Sequence, residues 1–204
     1  MNTELETNTA NHKISAKTRF SIVAVALVAF MGILAETSLN VTFPTLEKTF
    51  GLPLSTVQWV TTAYLLVVAI VMPTSSYISQ RFQNRTLFFS GLIFFTLGDL
   101  LSLISPNFTI LMAGRLIQGI GTGIAIPLMF NLVLTKIPRE RVGLWMGFAG
   151  MILSIAPALG PTYGGLLTGT LGWRMIFAII LIIPICLFPL GAWAIEKSEK
   201  KRPG

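Results

Sequence analysis

The chain has 204 residues, of which 53% are hydrophobic and only 11% are charged. Soluble domains carry about 25% charged residues, so this composition is typical of an integral membrane protein. A single histidine, His12, and a single cysteine, Cys186, exclude an intrachain disulfide and provide no metal-ligand spacing. The net charge of +7 fits the membrane topology below better than nucleic-acid binding.

Six apolar runs follow a polar tail, residues 1–19, that has no hydrophobic period and is expected to be disordered. Each run is long enough to cross a membrane, which takes about 20 mostly apolar residues. Short connections with turn residues place each span antiparallel to the next. The sequence predicts an all-α membrane domain over 20–195, with spans at 20–43, 56–79, 86–105, 108–134, 142–167 and 173–195 and a basic tail at 196–204.

Basic residues concentrate on the side of this predicted bundle that holds both ends of the chain. Only Lys48 and Arg174 fall on the opposite side. Because cytoplasmic loops carry an excess of Lys and Arg, both termini are predicted to be cytoplasmic, in a cell membrane. The residues on the basic side are Lys13, Lys17, Arg19, Arg81, Arg85, Lys136, Arg139, Arg141, Lys197, Lys200, Lys201 and Arg202.

Three ionisable residues fall inside predicted spans: Glu36, Asp99 and Arg115. The helical rise places Glu36 and Asp99 roughly 24 and 20 Å from the cytoplasmic boundary, and Arg115 about 10 Å from the outer one. All three therefore share one layer. Charges in a membrane are costly and usually face a cavity or a partner. The residues are candidates for a proton or substrate site, and a static Arg–acid pair that fixes helix packing is the alternative.

Glu36 is the stronger functional candidate of the two acids. Thr37 and Asn40 follow it, and polar residues on several helix faces favour a cavity wall over lipid contact. Asp99 has apolar neighbours in "LGDLLS" and is compatible with a helix interface.

Small residues and prolines mark the later spans. Pro157 and Pro161 predict a bend in span five, and glycines four residues apart let helix backbones approach closely. Span five is therefore predicted to be a kinked helix pressed against another helix. The glycine pairs with this spacing are Gly119 and Gly123, Gly143 and Gly147, and Gly160 and Gly164.

Two motifs carry a family resemblance. Span five resembles the antiporter motif G-x-x-x-G-P-x-x-G-G, with Ala156 at the leading glycine and matches at Gly160, Pro161, Gly164 and Gly165. Span four resembles the pattern R-x-x-Q-G-x-G, with matches at Arg115, Gln118, Gly119 and Gly121. Together they resemble the major facilitator superfamily, specifically its fourteen-span drug:proton antiporters of the EmrB/QacA type.

Two further segments match less completely. "LAETSLNVTFP" resembles the span-one motif L-D-x-T-x-x-N-V-A-L-P through Thr37 and Asn40, but Ala35 stands at the usual Asp position and Glu36 follows it. In the gating loop, "SYISQRFQNR" keeps Arg81 and Arg85 of the pattern G-x-x-x-D-R-x-G-R-R/K. The acid and both glycines of that pattern are replaced.

The resemblance implies the N-terminal six-span half of such an antiporter, a bundle of two inverted three-helix repeats. It implies a proton role for Arg115, coupling to the proton motive force without a cofactor or metal, and a small lipophilic or cationic substrate. The expected partners are the lipid bilayer and a missing C-terminal half or a second copy, with no nucleic acid. A second copy would cover the Gly/Pro face of span five.

Three explanations for the six-span length stay open: a truncated product or fragment, a half that pairs with itself or with a separately encoded half, or a deliberately shortened chain. The predicted function is proton-coupled multidrug efflux. The alternatives are a metabolite permease of the same fold and a non-transporting remnant or scaffold. An enzyme is not expected, because the chain lacks H-E-x-x-H and G-x-S-x-G.

Overall fold

A computed structural model describes residues 14–79 and 81–194. Six helical segments within this part are long and apolar enough to cross a membrane, which confirms the predicted span count. The predictions for residues 1–13, Gln80 and 195–204 lie outside the described residues. The helices are α1 Ala16–Phe50, α2 Leu54–Val57, α3 Trp59–Ile78, α4 Asn84–Leu103, α5 Phe108–Lys136, α6 Arg139–Thr170 and α7 Arg174–Ala194, with α2 and α3 together forming the second span.

The first helix is longer than its predicted span. α1 continues through Pro44 and ends where Gly51 adopts a left-handed conformation with φ of 64°. The Gly51 N–H donates to the Glu47 carbonyl oxygen at 2.9 Å, as in a helix C-cap. The hydrophobic run ends near residue 43, but the hydrogen-bonding pattern of the helix runs on to this glycine.

The helix contacts follow the same pattern when the first three spans (α1, α3 and α4) are exchanged with the last three (α5, α6 and α7). The contact of α1 with α6 corresponds to the contact of α5 with α3. The contact of α1 with α7 corresponds to the contact of α5 with α4. The pairs α1–α5 and α4–α7 map onto themselves. Because each repeat contains three spans, the second repeat enters the membrane from the opposite side. The fold is therefore the expected bundle of two inverted three-helix repeats.

Glycines bring α4 and α5 into backbone contact. A Cβ atom built on Gly121 would lie 2.6 Å from the Gly91 carbonyl oxygen and 2.6 Å from the Phe95 nitrogen. A Cβ atom on Gly114 would lie 2.8 Å from the Gly98 carbonyl oxygen. Only residues without side chains allow such an approach. The close approach brings the side chains beside these glycines on the two helices within reach of each other.

The antiporter motif in α6 is divided between two environments. Gly160 and Gly164 are buried against Thr37 and Ser38 of α1, whereas Pro161 and Gly165 are exposed. The prediction that span five presses against another helix is confirmed. The expectation that these two glycines leave an open face for a second copy is wrong, because α1 of the same chain covers them. Gly143 and Gly147 have no atom within 4 Å of a built Cβ and so make no such contact among the described residues.

Gly164→Ala is expected to destabilise the fold by about 1–3 kcal/mol, because overpacking a close contact forces the backbone to shift. The new methyl would lie 2.8 Å from the Cα atom of Ser38. Gly165→Ala is the matched control, since its nearest neighbour is Val41 Cγ1 at 3.9 Å. Thermal unfolding in detergent measures both variants, and equal midpoints would show that α6 does not depend on this contact.

Candidate functional site

A buried chain of polar side chains joins α4 to α5 at the layer predicted for the intramembrane charges. Arg115, Gln118 and Asp99 are all 0% exposed. Gln118 Nε2 donates to Asp99 Oδ1 at 2.9 Å, and Arg115 Nη1 donates to Gln118 Oε1. The amide of Gln118 therefore stands between the guanidinium and the carboxylate. This geometry replaces the direct Arg–acid pair that the sequence left open as an alternative.

The arrangement leaves hydrogen-bonding capacity unused. Arg115 Nε, Arg115 Nη2 and Asp99 Oδ2 are buried without a hydrogen-bond partner in the described part of the chain. Unpaired buried polar atoms are rare and costly, and each one calls for an explanation. The group is therefore a candidate functional site, and it also joins α4 to α5.

Tyr64 of α3 holds the guanidinium from the other side. The Arg115 Cζ atom lies 3.9 Å from the centroid of the Tyr64 ring, within the range of a cation–π contact. The Tyr64 hydroxyl donates to the Gly32 carbonyl oxygen of α1 at 2.9 Å and lies 2.9 Å from Thr122 Oγ1 of α5. Tyr64 thus connects three helices around Arg115. The sequence analysis missed this residue, since a tyrosine in an apolar run carries no signal of its neighbours.

Glu36 lies beside this buried chain in a more accessible position. It is half-buried, and Asn40 Nδ2 donates to Glu36 Oε1 at 3.3 Å. Thr61 Oγ1 of α3 donates to Asn40 Oδ1 at 3.0 Å, which orients the amide. Glu36 and Asp99 both lie within electrostatic range of Arg115. The structure thus brings the three predicted charges together, with Glu36 accessible and Asp99 enclosed.

Thr37 does not share the environment of Asn40. Its hydroxyl donates to the Ile33 carbonyl oxygen at 2.9 Å, and its side chain packs against Gly160. The sequence predicted that both residues line a cavity. Asn40 is exposed as expected, while Thr37 serves mainly the contact between α1 and α6.

Two of the span-four motif glycines serve packing. Gly121 faces α4, as described above, and a Cβ on Gly119 would lie 3.1 Å from the Tyr64 carbonyl oxygen of α3. Gln118, on the same helix, carries the hydrogen bonds between the charges. The motif therefore lets α3 and α4 approach α5 closely through its glycines, and its Gln118 amide links Arg115 to Asp99.

The gating-loop arginines lie at the opposite end of the bundle from the outer loops and do not reach this site. Arg81 Nη2 donates to the Tyr77 hydroxyl at 3.0 Å, and its guanidinium lies over the same ring at 5.3 Å. Arg85 lies over the Phe89 ring at 5.8 Å. Both arginines contact aromatic rings near their own helix ends. Among residues 14–79 and 81–194 no cluster of His, Cys, Asp and Glu could hold a metal ion.

The group of three charges can bind or release one unit of positive charge. Two carboxylates share one guanidinium, so the group carries one excess negative charge whenever both acids are ionised. A proton on either acid or a cation at Glu36 neutralises that excess. Ionisable residues within membrane spans are rare and are candidates for ion and proton pathways.

The fold and the site together define a class: a membrane bundle of two inverted helix triplets with an ionisable group between its helices, as in secondary transporters. The chain belongs to the Major Facilitator Superfamily, whose family model matches residues 25–204. Family membership agrees with the resemblance found in the motifs.

Curated relatives support the same assignment. The chain is 38% identical over 183 residues to the lincomycin resistance protein LmrB of Bacillus subtilis, covering 89% of this chain and 38% of that protein. It is 34% identical over 166 residues to a multidrug resistance protein B homolog of Mycobacterium tuberculosis, covering 81% of this chain and 31% of that protein. The chain thus spans about a third of the length of these relatives.

Two solved transporters share the fold at low sequence identity. A D-xylose–proton symporter superposes with a TM-score of 0.73 at 19% identity, covering 88% of this chain and 49% of the symporter. A bacterial homolog of the human lysosomal transporter Spinster, in an inward-facing unoccupied conformation, superposes with the same TM-score of 0.73 at 14% identity. It covers 93% of this chain and 46% of that structure.

Proposed function

We propose that this chain is the N-terminal six-helix half of a proton-coupled exporter of small lipophilic, often cationic compounds. The observation that carries the proposal is the half-exposed Glu36 carboxylate beside the buried Arg115–Gln118–Asp99 chain. The names of two relatives, a lincomycin resistance protein and a multidrug resistance protein B homolog, support an export role. The family and the fold point to a transporter rather than an enzyme.

The coupling follows from the shared charge. Glu36 is the group that a proton or a cationic substrate reaches, because it is half-exposed while Asp99 is enclosed. Arg115 attracts both acids, and Gln118 connects it to Asp99 through hydrogen bonds to both side chains. Proton and substrate then compete for one excess negative charge, which is the requirement for exchange.

Transport requires a second bundle, which we propose packs on the faces of this chain that its own helices leave open. α6 is buried along only 11% of its most apolar stretch, against 67% for α1. Alternating access moves two bundles around a site between them. Either a further segment of a longer chain or a second copy would supply this bundle. We further propose a plasma-membrane location with both termini cytoplasmic, supported by the basic residues at one end of the helices.

Acid-driven dye uptake tests the proposed function. Inside-out vesicles from cells that express the whole reading frame containing this sequence are expected to accumulate ethidium when their interior is acidified. Accumulation is expected to stop when a protonophore collapses the pH gradient. Vesicles from cells without the gene provide the control. Uptake of a nutrient without any dye accumulation would instead indicate a metabolite permease, and no uptake of either would indicate a non-transporting remnant or scaffold.

A further inference from the structure

A cleft lies where α1 and α6 begin, the two helices that pack through Gly160 and Gly164. Its volume is about 480 Å³, and its walls come from the beginning of α1 and the beginning of α6. This volume is within the ~300–1,000 Å³ range of small-ligand sites. The cleft is separate from the charges of the coupling site. Its lining residues are Ile14, Arg19, Glu140, Arg141, Leu144 and Trp145.

The cleft presents two guanidinium groups. Arg19 is held in place because its Nε and Nη2 atoms donate to the Ile14 carbonyl oxygen at 3.2 and 3.1 Å. The side chain of Arg141 has no hydrogen-bond or ion-pair partner among residues 14–79 and 81–194. The Arg141 guanidinium can bind phosphate oxygens in a bidentate manner, and Arg19 adds the Nη1 group that its contact with Ile14 leaves unused. The pair is therefore suited to a phosphate group that enters between the two helices.

The surroundings of the cleft point to the source of that phosphate. Trp145 lies on its wall, and Leu144 beside it is 74% exposed, so an apolar surface continues from the charged one. Tryptophan and arginine together are typical of the headgroup level of a membrane. Glu140 is the one acidic residue on the wall, and the neighbouring segments add Lys17, Lys136 and Arg139. This positive excess complements an anionic lipid better than a zwitterionic one.

We propose that this cleft binds the headgroup phosphate of an anionic phospholipid, with the Arg19 and Arg141 guanidinium groups on the phosphate and the acyl chain along Leu144 and Trp145. Basic pockets between membrane helices are known sites for anionic headgroups. A lipid bound there bridges the beginnings of α1 and α6, which also pack on each other through Gly160 and Gly164. The site does not depend on the proposed transport function.

Native mass spectrometry of the purified chain tests the site. Palmitoyl-oleoyl phosphatidylglycerol is compared with phosphatidylcholine of the same acyl chains. The wild-type chain is expected to retain phosphatidylglycerol about tenfold more strongly, because each basic residue adds to anionic-lipid affinity. The variant Arg19→Gln with Arg141→Gln is expected to bind the two lipids within about twofold of each other. Arg141→Gln alone is expected to lose part of the preference, and it removes no contact within the described chain.

A second double variant controls for net charge. Arg81→Gln with Arg85→Gln removes the same charge at the same end of the bundle but lies outside the cleft. It is expected to keep the wild-type preference for phosphatidylglycerol. Equal losses in the two double variants would show a non-specific charge effect and overturn the site. A wild-type chain without any preference would overturn it as well.

Discussion

Asp99→Asn is expected to lower the free energy of unfolding by about 3 kcal/mol, although it leaves the size of the side chain unchanged. Asp99 and Arg115 are both fully buried and are connected through Gln118. Without the Asp99 carboxylate, the Arg115 guanidinium would lose the anion to which Gln118 connects it. Glu36, the other acid within electrostatic range of Arg115, is only half-buried and therefore compensates the enclosed guanidinium less completely. Thermal unfolding of the purified chain in detergent measures the loss.

A double variant shows whether the loss comes from the charge. Arg115→Met keeps much of the length of the side chain and removes its charge, so adding it to Asp99→Asn is expected to recover part of the lost stability. The two single variants and the double variant form a double-mutant cycle. The coupling free energy between Asp99 and Arg115 in this cycle is expected to exceed about 1 kcal/mol, as for residues in one hydrogen-bonded network. If Asp99→Asn unfolds at the wild-type midpoint, Asp99 does not compensate the charge of Arg115.

The hydropathy of the sequence predicted the membrane fold well because the bilayer allows only a few backbone structures to span it. Each span must satisfy its own backbone hydrogen bonds, so a run of about 20 apolar residues has few structures available to it. The ends of helices are set by local capping instead. This is why α1 runs on to Gly51, beyond the last strongly apolar residue near position 43.

The proximity of the three charges along the helix axes was predictable, but their lateral partners were not. Helical rise places Glu36, Asp99 and Arg115 in one layer from their positions alone. Contacts across helices depend on how the helices rotate and pack, which no single segment encodes. Tyr64 and Thr61 therefore entered the site only with the structure.

The glycine motifs show the same limit. Spacing of four residues predicts a close helix contact but does not name the partner helix. Gly160 and Gly164 meet α1 of the same chain, although the resemblance implied that they face a second bundle, from a missing half or a second copy. Gly143 and Gly147 have the same spacing and no neighbour within 4 Å in the described part of the chain. Spacing alone does not separate these cases.

Glu36→Gln is expected to abolish the exchange of a proton for a cation while the chain still folds. The new amide oxygen can still accept from Asn40 Nδ2, and the half-buried position needs no charge for packing. What the variant loses is the acid that a proton or a lipophilic cation reaches. The variant is expected to release about one proton fewer per bound cation than the wild-type chain. This number follows from the one excess negative charge of Glu36, Asp99 and Arg115 together. Glu47→Gln, on the same helix near its outer end, is the matched control.

The direct test of this account is the proton count when the purified product of the whole reading frame containing this chain, in lipid nanodiscs, binds tetraphenylphosphonium in a weakly buffered solution. The account predicts that the wild-type chain and Glu47→Gln release about one proton per bound cation and that Glu36→Gln releases none. Binding without proton release, release that persists in Glu36→Gln, or no binding by the wild-type chain would contradict the claim that Glu36 exchanges a proton for a cation.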